Sequence, residues 1–381
     1  MQILLVTGPG GAGSSTVAAA TALRLTADGA RCVLLTPHPP RVDLGGAVRV
    51  DVVGAQPALE QLWDRHAAAL AGVVPVLTVP PATSVVPVPG VAEFALLAAL
   101  AGHARSGDVD VVVLDAGPVP VATALLALPG ALRWWLAQAA PPRLRVLATL
   151  RAAATPGRPG VAAGLLAGAA GVEELLDAAP LTDPAATAVH LVVPPAADAA
   201  ATVQETATVL GVLGQTIASV TVSRVLPAGT GEWWAQRAAV QEESVRRVRE
   251  LTGPVREVSE QPLAPASVTD LQQLDAAVPH VVVPAATPAL PRRTGAGWVL
   301  DVPLPFVRRG QVELTRWDDD LVVTAAGVRR SLPLDALLRR CTVAGGSLTD
   351  PGTAAATLEV QFTPDPAQWP AGLLDAQGSR R

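Results

Sequence analysis

One segment constrains this 381-residue chain more than any other. The apolar run Ile3-Leu4-Leu5-Val6 leads into Gly8-Pro9-Gly10-Gly11-Ala12-Gly13-Ser14-Ser15-Thr16, and an Ala/Leu-rich stretch follows to about Ala27, stopping at Asp28-Gly29. That is the pattern of a buried strand, a glycine loop and a helix, with Gly29 near the C-terminal cap. Glycines between a strand and a helix leave backbone N–H groups facing outward at the positive end of the helix dipole. The result is an anion cradle, normally for phosphates. A plain structural turn uses the same glycines, so the loop alone leaves both readings open.

The surrounding pattern predicts a parallel sheet. Cys32–Leu35 is a second apolar run, Val109–Leu114 a third ending in Asp115, and Val189–Val193 and Val220–Val222 are two more. Continuous apolar runs without alternation mark strands covered on both faces. Helices are expected over Val91–Arg105, Leu125–Gln138, Val161–Ala178, Ala199–Leu213 and Glu232–Leu251. In the last, Glu242/Arg246 and Glu243/Arg247 are spaced i,i+4 with the acid first, the favourable order on an exposed face. Residues 284–296 read as a stiff proline-rich linker. Beyond it Trp298/Leu300, Val312/Leu314, Leu321/Val323 and Leu358/Val360/Phe362 alternate apolar with polar, which predicts a small antiparallel β-sandwich over 297–363. Residues 364–381 read as a frayed tail.

Composition removes several function classes. Half the residues are apolar and 16% charged, which excludes disorder as the main state. A net charge of -5 argues against a nucleic-acid partner. The chain has no lysine, so all 28 cations are arginine, and no mechanism that needs a lysine on this chain operates. Cys32 and Cys341 form no CxxC, which argues against a disulfide framework or thiolate cage and fits a reducing cytoplasm. Met1–Val6 enters the glycine loop directly and does not read as a secretory leader. A mean hydropathy of +0.38 raises a membrane reading. However, the long uncharged stretches Ala67–Ala92 and Ala116–Leu132 are interrupted by prolines. A span needs about 20 clean apolar residues, so no membrane span is expected. His66, His103, His190 and His280 lack ligand spacing. Trp134-Trp135 and Trp233-Trp234 lie on helices, so one ring of each turns outward, toward a partner or under a neighbouring loop.

Several stretches carry a resemblance. Gly8–Thr16 with Val17–Leu25 match an opening of the form Gly-Lys-Gly-Gly-x-Gly-Lys-Thr-Thr and its Ala/Leu-rich helix. Thr36-Pro37-His38-Pro39-Pro40-Arg41 corresponds to a Ser-Thr-Asp-Pro-Ala-His segment after the second strand. Asp115-Ala116-Gly117-Pro118, then Leu125-Leu126-Ala127-Leu128-Pro129, corresponds to an Asp-Thr-Ala-Pro segment leading to a Leu-Leu-x-Leu-Pro run. Pro89-Gly90 with Glu93, and Ser223-Arg224-Val225-Leu226-Pro227, also match. In these features the chain resembles the ArsA-like family, the arsenical-pump ATPases and the ATPases that target tail-anchored membrane proteins. The C-terminal part, opening at Val302-Pro303-Leu304-Pro305, is similar to the small heat-shock (α-crystallin-like) domain of bacterial members.

The resemblance implies a three-layer α/β P-loop NTPase fold with a mainly parallel sheet, plus the small sandwich. It implies nucleotide binding by Gly8, Gly10, Gly11, Gly13, Ser14, Ser15, Thr16 and Ser223, Mg²⁺ held by Ser15 and Asp115, and switch positions at His38 and Pro118. It also implies a cytoplasmic dimer. The departures fall on the chemistry. Pro9 replaces the intersubunit lysine, Ser14 the phosphate lysine, and His38 the aspartate that positions the attacking water. Ala116, Val119, Pro120 and Val121 replace polar switch residues, and Ser223 replaces the asparagine that meets adenine. Removing a cation from beside a triphosphate forfeits roughly 4 kcal/mol at an effective dielectric near 20, and phosphoryl transfer depends on such positioning and charge. Arg24 lies in the wrong part of the helix to substitute, which leaves Arg41 as the nearby candidate. The expectation is a site with no catalytic residue that holds ATP and Mg²⁺ weakly or not at all. The leading reading is a pseudo-ATPase scaffold or regulatory subunit, a homodimer or a heterodimer with an ArsA-like paralogue, handling apolar protein clients. Two rivals stand beside it. One is an active ion-transport or protein-targeting ATPase with unorthodox residues, the other a nucleotide-independent chaperone-like module.

Overall fold

The computed structural model describes residues 1–73, 79–139, 161–278, 290–295 and 297–369. The chain divides into two compact units, Met1–Ala197 with Ile217–Val283, and Asp198–Thr216 with Pro284–Arg381.

The first unit is built on a parallel sheet. Its strands are β1 (Gln2–Gly8), β2 (Cys32–Thr36), β3 (Arg49–Val52), β4 (Val111–Pro118), β5 (Thr187–Val193), β6 (Ile217–Val225) and β7 (Arg256–Ser259), in the order β3-β2-β4-β1-β5-β6-β7. β1 lies at the centre and is buried from Ile3 to Gly8, as are all of β2 and β5. Such strands are shielded on both faces, which is why their runs do not alternate. The helices are α1 (Ser14–Ala27), α2 (Ala55–Val73), α3 (Val91–Ser106), α4 (Val119–Ala139), α5 (Val161–Ala178), then, after α6 (Ala199–Leu213) of the second unit, α7 (Glu232–Thr252) and α8 (Val268–Gln273). α1 packs Val17, Ala18 and Leu23 into a core with Val6, Leu34, Val113 and Val192. Burying such a side chain contributes about 1.5–3 kcal/mol.

Two expectations need correction here. The helix predicted from Leu125 begins at Val119, directly after β4. Pro120 sits in its first turn, where a missing N–H costs nothing, and Pro129 is tolerated inside. The prolines therefore do not remove every membrane-length helix. At 21 residues, α4 is long and apolar enough to cross a bilayer by length and composition. Its first half is buried through Ala122, Leu125, Leu126 and Pro129, and Arg133 donates to the Leu176 carbonyl and pairs with Asp177 at 3.1 Å. On α7, Arg247 pairs with Glu243 as predicted, at 2.6 Å, but Arg246 turns to Glu243 and Glu250 rather than Glu242. Such exposed pairs contribute little, typically about 0.2–1 kcal/mol. Trp134/Trp135 and Trp233/Trp234 stack edge to face at 5.0 Å, with Trp135 and Trp233 the outward rings.

His190 stands apart among the histidines. It is fully buried on β5, with Nδ1 2.6 Å from Ser219 Oγ and Nε2 2.9 Å from Thr221 Oγ1, both on β6. A neutral imidazole carries one N–H, so one hydroxyl accepts from the ring and the other donates to it. Burial, helped by the charge of Arg256, pushes its pKa down to about 3. His103 lies 3.0 Å from Asp51. His280 and the His66 side chain lie outside the described residues. Both cysteines are buried and free, and burial raises the Cys32 thiol to about 11. That makes Cys32 a poor thiolate.

In the second unit, β10 (Val312–Trp317), β11 (Asp320–Ala325) and β12 (Val328–Pro333) form one antiparallel sheet. β8 (Arg292–Thr294), β9 (Gly297–Pro303), β13 (Cys341–Thr349) and β14 (Thr357–Pro364) form the other, in the order β13-β14-β9-β8. Alternate residues of β11 and β14 point inward, so Leu321, Val323, Leu358, Val360 and Phe362 share one core. The helix α6 (Ala199–Leu213) belongs to this unit. The boundary read at 297 moves back to Arg292, because β8 pairs with β9 (Arg292 opposite Val299). The part of the expected linker at 284–289 lies outside the described residues. Of the expected tail, 370–381 lies outside the described residues, and 364–369 is held in place. Pro364 ends β14, and Trp369 stacks on Trp298 at 5.3 Å while its Nε1 donates to the Arg340 carbonyl.

Candidate functional site

The glycine loop joins the end of the central strand to the start of α1. At Gly8 the chain passes so close to β5 that a Cβ would lie 2.1 Å from the Val192 carbonyl oxygen. Only glycine fits, and the contact sets where the loop starts. The chain then turns, with the Ala12 N–H donating to the Pro9 carbonyl at 3.0 Å. Gly11 and Gly13 take φ of 80° and 91°, a region L side chains rarely adopt. Side chains added at Gly10, Gly11 or Gly13 would meet nothing within 4 Å, so the outer face of the loop is open. The N–H groups of Ser14, Ser15 and Thr16 precede the first intrahelical bond, from Val17 to the Gly13 carbonyl, and are free to take an external acceptor.

Asp115 reaches this cradle from β4. The register of β1 and β4 sets Val6 opposite Asp115, so the acid lies at the base of the loop. Its carboxylate accepts a hydrogen bond from the Ser15 hydroxyl and another from the Gly117 N–H at 3.3 Å. Burial raises its pKa, opposed by those two bonds and by the charge of His38. Ser15 of α1 and Asp115 of β4 are thus in direct contact, and His38 of the turn after β2 acts on the acid only through its charge. His38 itself is exposed, and Thr36 shapes its turn by donating from Oγ1 to the His38 carbonyl at 2.8 Å. Pro118 closes β4, exposed, opposite Gly8. Hydroxyl and carboxylate oxygens are the donor types Mg²⁺ takes, so Ser15 and Asp115 fit that ion. Ser14, by contrast, carries a hydroxymethyl group where the resemblance places a lysine.

Asp115→Asn is expected to raise the unfolding midpoint at pH 7. A raised folded pKa means that ionisation costs stability once the pH rises past it. The amide removes that cost, so the gain shrinks as the pH falls toward 4. Calorimetry at both pH values checks this, and a lowered midpoint at pH 7 would contradict the burial argument.

Ser223 needs correction. The residue read as facing adenine is buried beneath the loop, and its Oγ donates to the Ala12 carbonyl at 2.5 Å, with the Val193 carbonyl at 3.4 Å. It braces the loop from β6. Thr7 acts similarly and was missed in the sequence: its Oγ1 donates to the Gly117 carbonyl at 2.8 Å, tying β1 to the turn after Asp115. These bonds span 211 and 110 residues, and no local pattern signals them.

Comparison with known proteins supplies the family. The family model for anion-transporting ATPases matches residues 58–281, more than half of the chain. The chain belongs to the family of anion-transporting ATPases. A second family model, an HSP20-like domain found in ArsA, matches residues 295–362 of this ATPase-family chain. An uncharacterized protein of Streptomyces coelicolor, SCO2128, is 35% identical over 98% of the chain and 100% of its own length. A Mycobacterium tuberculosis protein, Rv2184c, is 29% identical over 74% of the chain and 70% of its own length. The ATPase match starts beyond the glycine loop and His38, which are therefore judged on their own geometry, whereas Asp115 lies inside the matched residues.

Proposed function

We propose that this ATPase-family chain is a pseudo-ATPase, a scaffold or regulatory subunit that pairs with itself or with an active paralogue in handling apolar clients. The observation that carries the reading is Ser14. An open cradle, a braced loop and a magnesium-type oxygen pair surround a position where a triphosphate needs a cation, and the chain has no lysine to supply one. His38 adds to this, because an imidazole stands where the water-positioning carboxylate would act. Ser15 and Asp115 would hold Mg²⁺, which when bound neutralises phosphate charge. The backbone N–H groups of Ser14 to Thr16 would orient the anion, and no side chain of the loop stabilises charge on a leaving phosphate.

The test titrates the purified full-length chain with a fluorescent ATP analogue in the presence of Mg²⁺ and measures phosphate release in parallel. Binding no tighter than the high-micromolar range and release at the no-enzyme rate are expected. Turnover of even one per minute, abolished by Asp115→Ala, would instead identify a working ATPase.

A further inference from the structure

We infer that α6 is a structural layer of the C-terminal sandwich as well as the crossover between β5 and β6, so that the sandwich acts as a clamp on the strands that brace the glycine loop. The helix is tied into the sandwich along its whole second half. Val212 lies in the same buried cluster as Trp298, Leu321 and Phe362. Thr208 Oγ1 donates to the Pro305 carbonyl at 2.6 Å. At Gly211 the backbones nearly touch. A Cβ there would lie 2.7 Å from Pro305 Cδ and 3.2 Å from the Pro303 carbonyl oxygen, which explains a glycine in a buried helix interior.

The helix end is secured from the same side. α6 has no basic residue in its own last turn. Arg330 of β12 takes that role. Its guanidinium packs on Gly214, just past the last turn, and lies 3.4 Å from the Val212 carbonyl, at the negative end of the helix. No carboxylate pairs with Arg330 among the described residues, so the helix end is its polar partner.

The other side of the argument is connectivity. α6 is covalently continuous with β5, which ends at Val193, and with β6, which starts at Ile217. Both strands touch the loop: Val192 abuts Gly8, and Ser223 bonds to Ala12 and Val193. Holding α6 therefore holds both ends of the crossover, and releasing it frees both. Linkage makes such a coupling reciprocal, so whatever tightens the loop also protects the sandwich. The arrangement needs no bound nucleotide and stands whether or not the site hydrolyses ATP.

Hydrogen exchange on the unliganded full-length chain tests the clamp. Gly211→Val drives a side chain into Pro305. The expected result is at least tenfold faster exchange in β11 and β12, together with at least threefold faster exchange at β5 and β6 amides from Leu191 to Val193 and Val220 to Ser223. Thr208→Val, which removes one hydrogen bond without adding bulk, should give the same pattern at smaller amplitude and serves alone if Gly211→Val does not fold. Faster exchange in the sandwich with β5 and β6 at parental rates overturns the proposal. So does a folded Gly211→Val chain that exchanges like the parent.

Discussion

Ser14→Lys is expected to tighten binding of Mg²⁺-ATP on the order of 10²–10³-fold. A single ammonium at about 4 Å from phosphate charge contributes roughly 4 kcal/mol at an effective dielectric near 20, and part of that is lost to solvent. The rest of the cradle is already in place. Gly11 and Gly13 hold the loop open, Ser223 fixes it from below, and Ser15 and Asp115 stand together beside it. Ser14→Met, of similar length without charge, is the control and should leave affinity near that of the parent. Titration with a fluorescent ATP analogue reads both. Equal affinities for the lysine and methionine variants would remove Ser14 as the cause of weak binding. Turnover is not expected from Ser14→Lys alone, because in the proposed reading His38 replaces the water-positioning acid. His38→Asp must be added before hydrolysis is looked for.

Acid should destabilise the first unit through His190. Its folded pKa, about 3, lies below the ordinary value of 6.5. The ring is therefore neutral when buried between Ser219 and Thr221, while in the unfolded chain it takes up a proton as the pH falls below 6.5. The stability it contributes is fully present above that value. It falls by about 1.4 kcal/mol per pH unit below it, until the folded ring itself protonates near pH 3. By pH 4 the loss amounts to roughly 3 kcal/mol. Denaturant midpoints from pH 7 to 4 should show this slope in the parent. His190→Gln, which cannot titrate, should show a shallower one, whatever its absolute stability. Parallel slopes in the two chains would rule out His190 as the acid-sensitive group.

What the sequence revealed follows from how local each signal is. β1, the glycine loop and α1 were legible because an apolar run, glycines and an Ala/Leu helix follow one another without a gap. The runs of β2 and β5 were legible for the same reason, and the alternation of Leu321/Val323 and Leu358/Val360/Phe362 marked the sandwich. The edge strands β3 and β7 were not read, since Arg49–Val52 and Arg256–Ser259 are short and partly charged, with only one fully buried residue between them. β13 was hidden by Gly345-Gly346 and a register shift between Val343 and Gly345. At the site, the residues that form the cradle could be named, but their roles could not all be assigned. Ser223 occupies a family position whose function depends on which way its side chain points, and only the fold shows it turned inward to Ala12. The allegiance of α6 was equally invisible, because Gly211 and Thr208 acquire meaning only against Pro305, nearly a hundred residues away.

The strand order also bears on synthesis. β1 leaves the ribosome first, yet its neighbours are β4 and β5. At roughly 5–20 residues per second, its second edge stays uncovered for on the order of ten to forty seconds, until Val193 has emerged. The central strand of the sheet is thus the one that waits longest for its second partner, and a nascent chain of this kind places its greatest demand on holding factors while that edge is open.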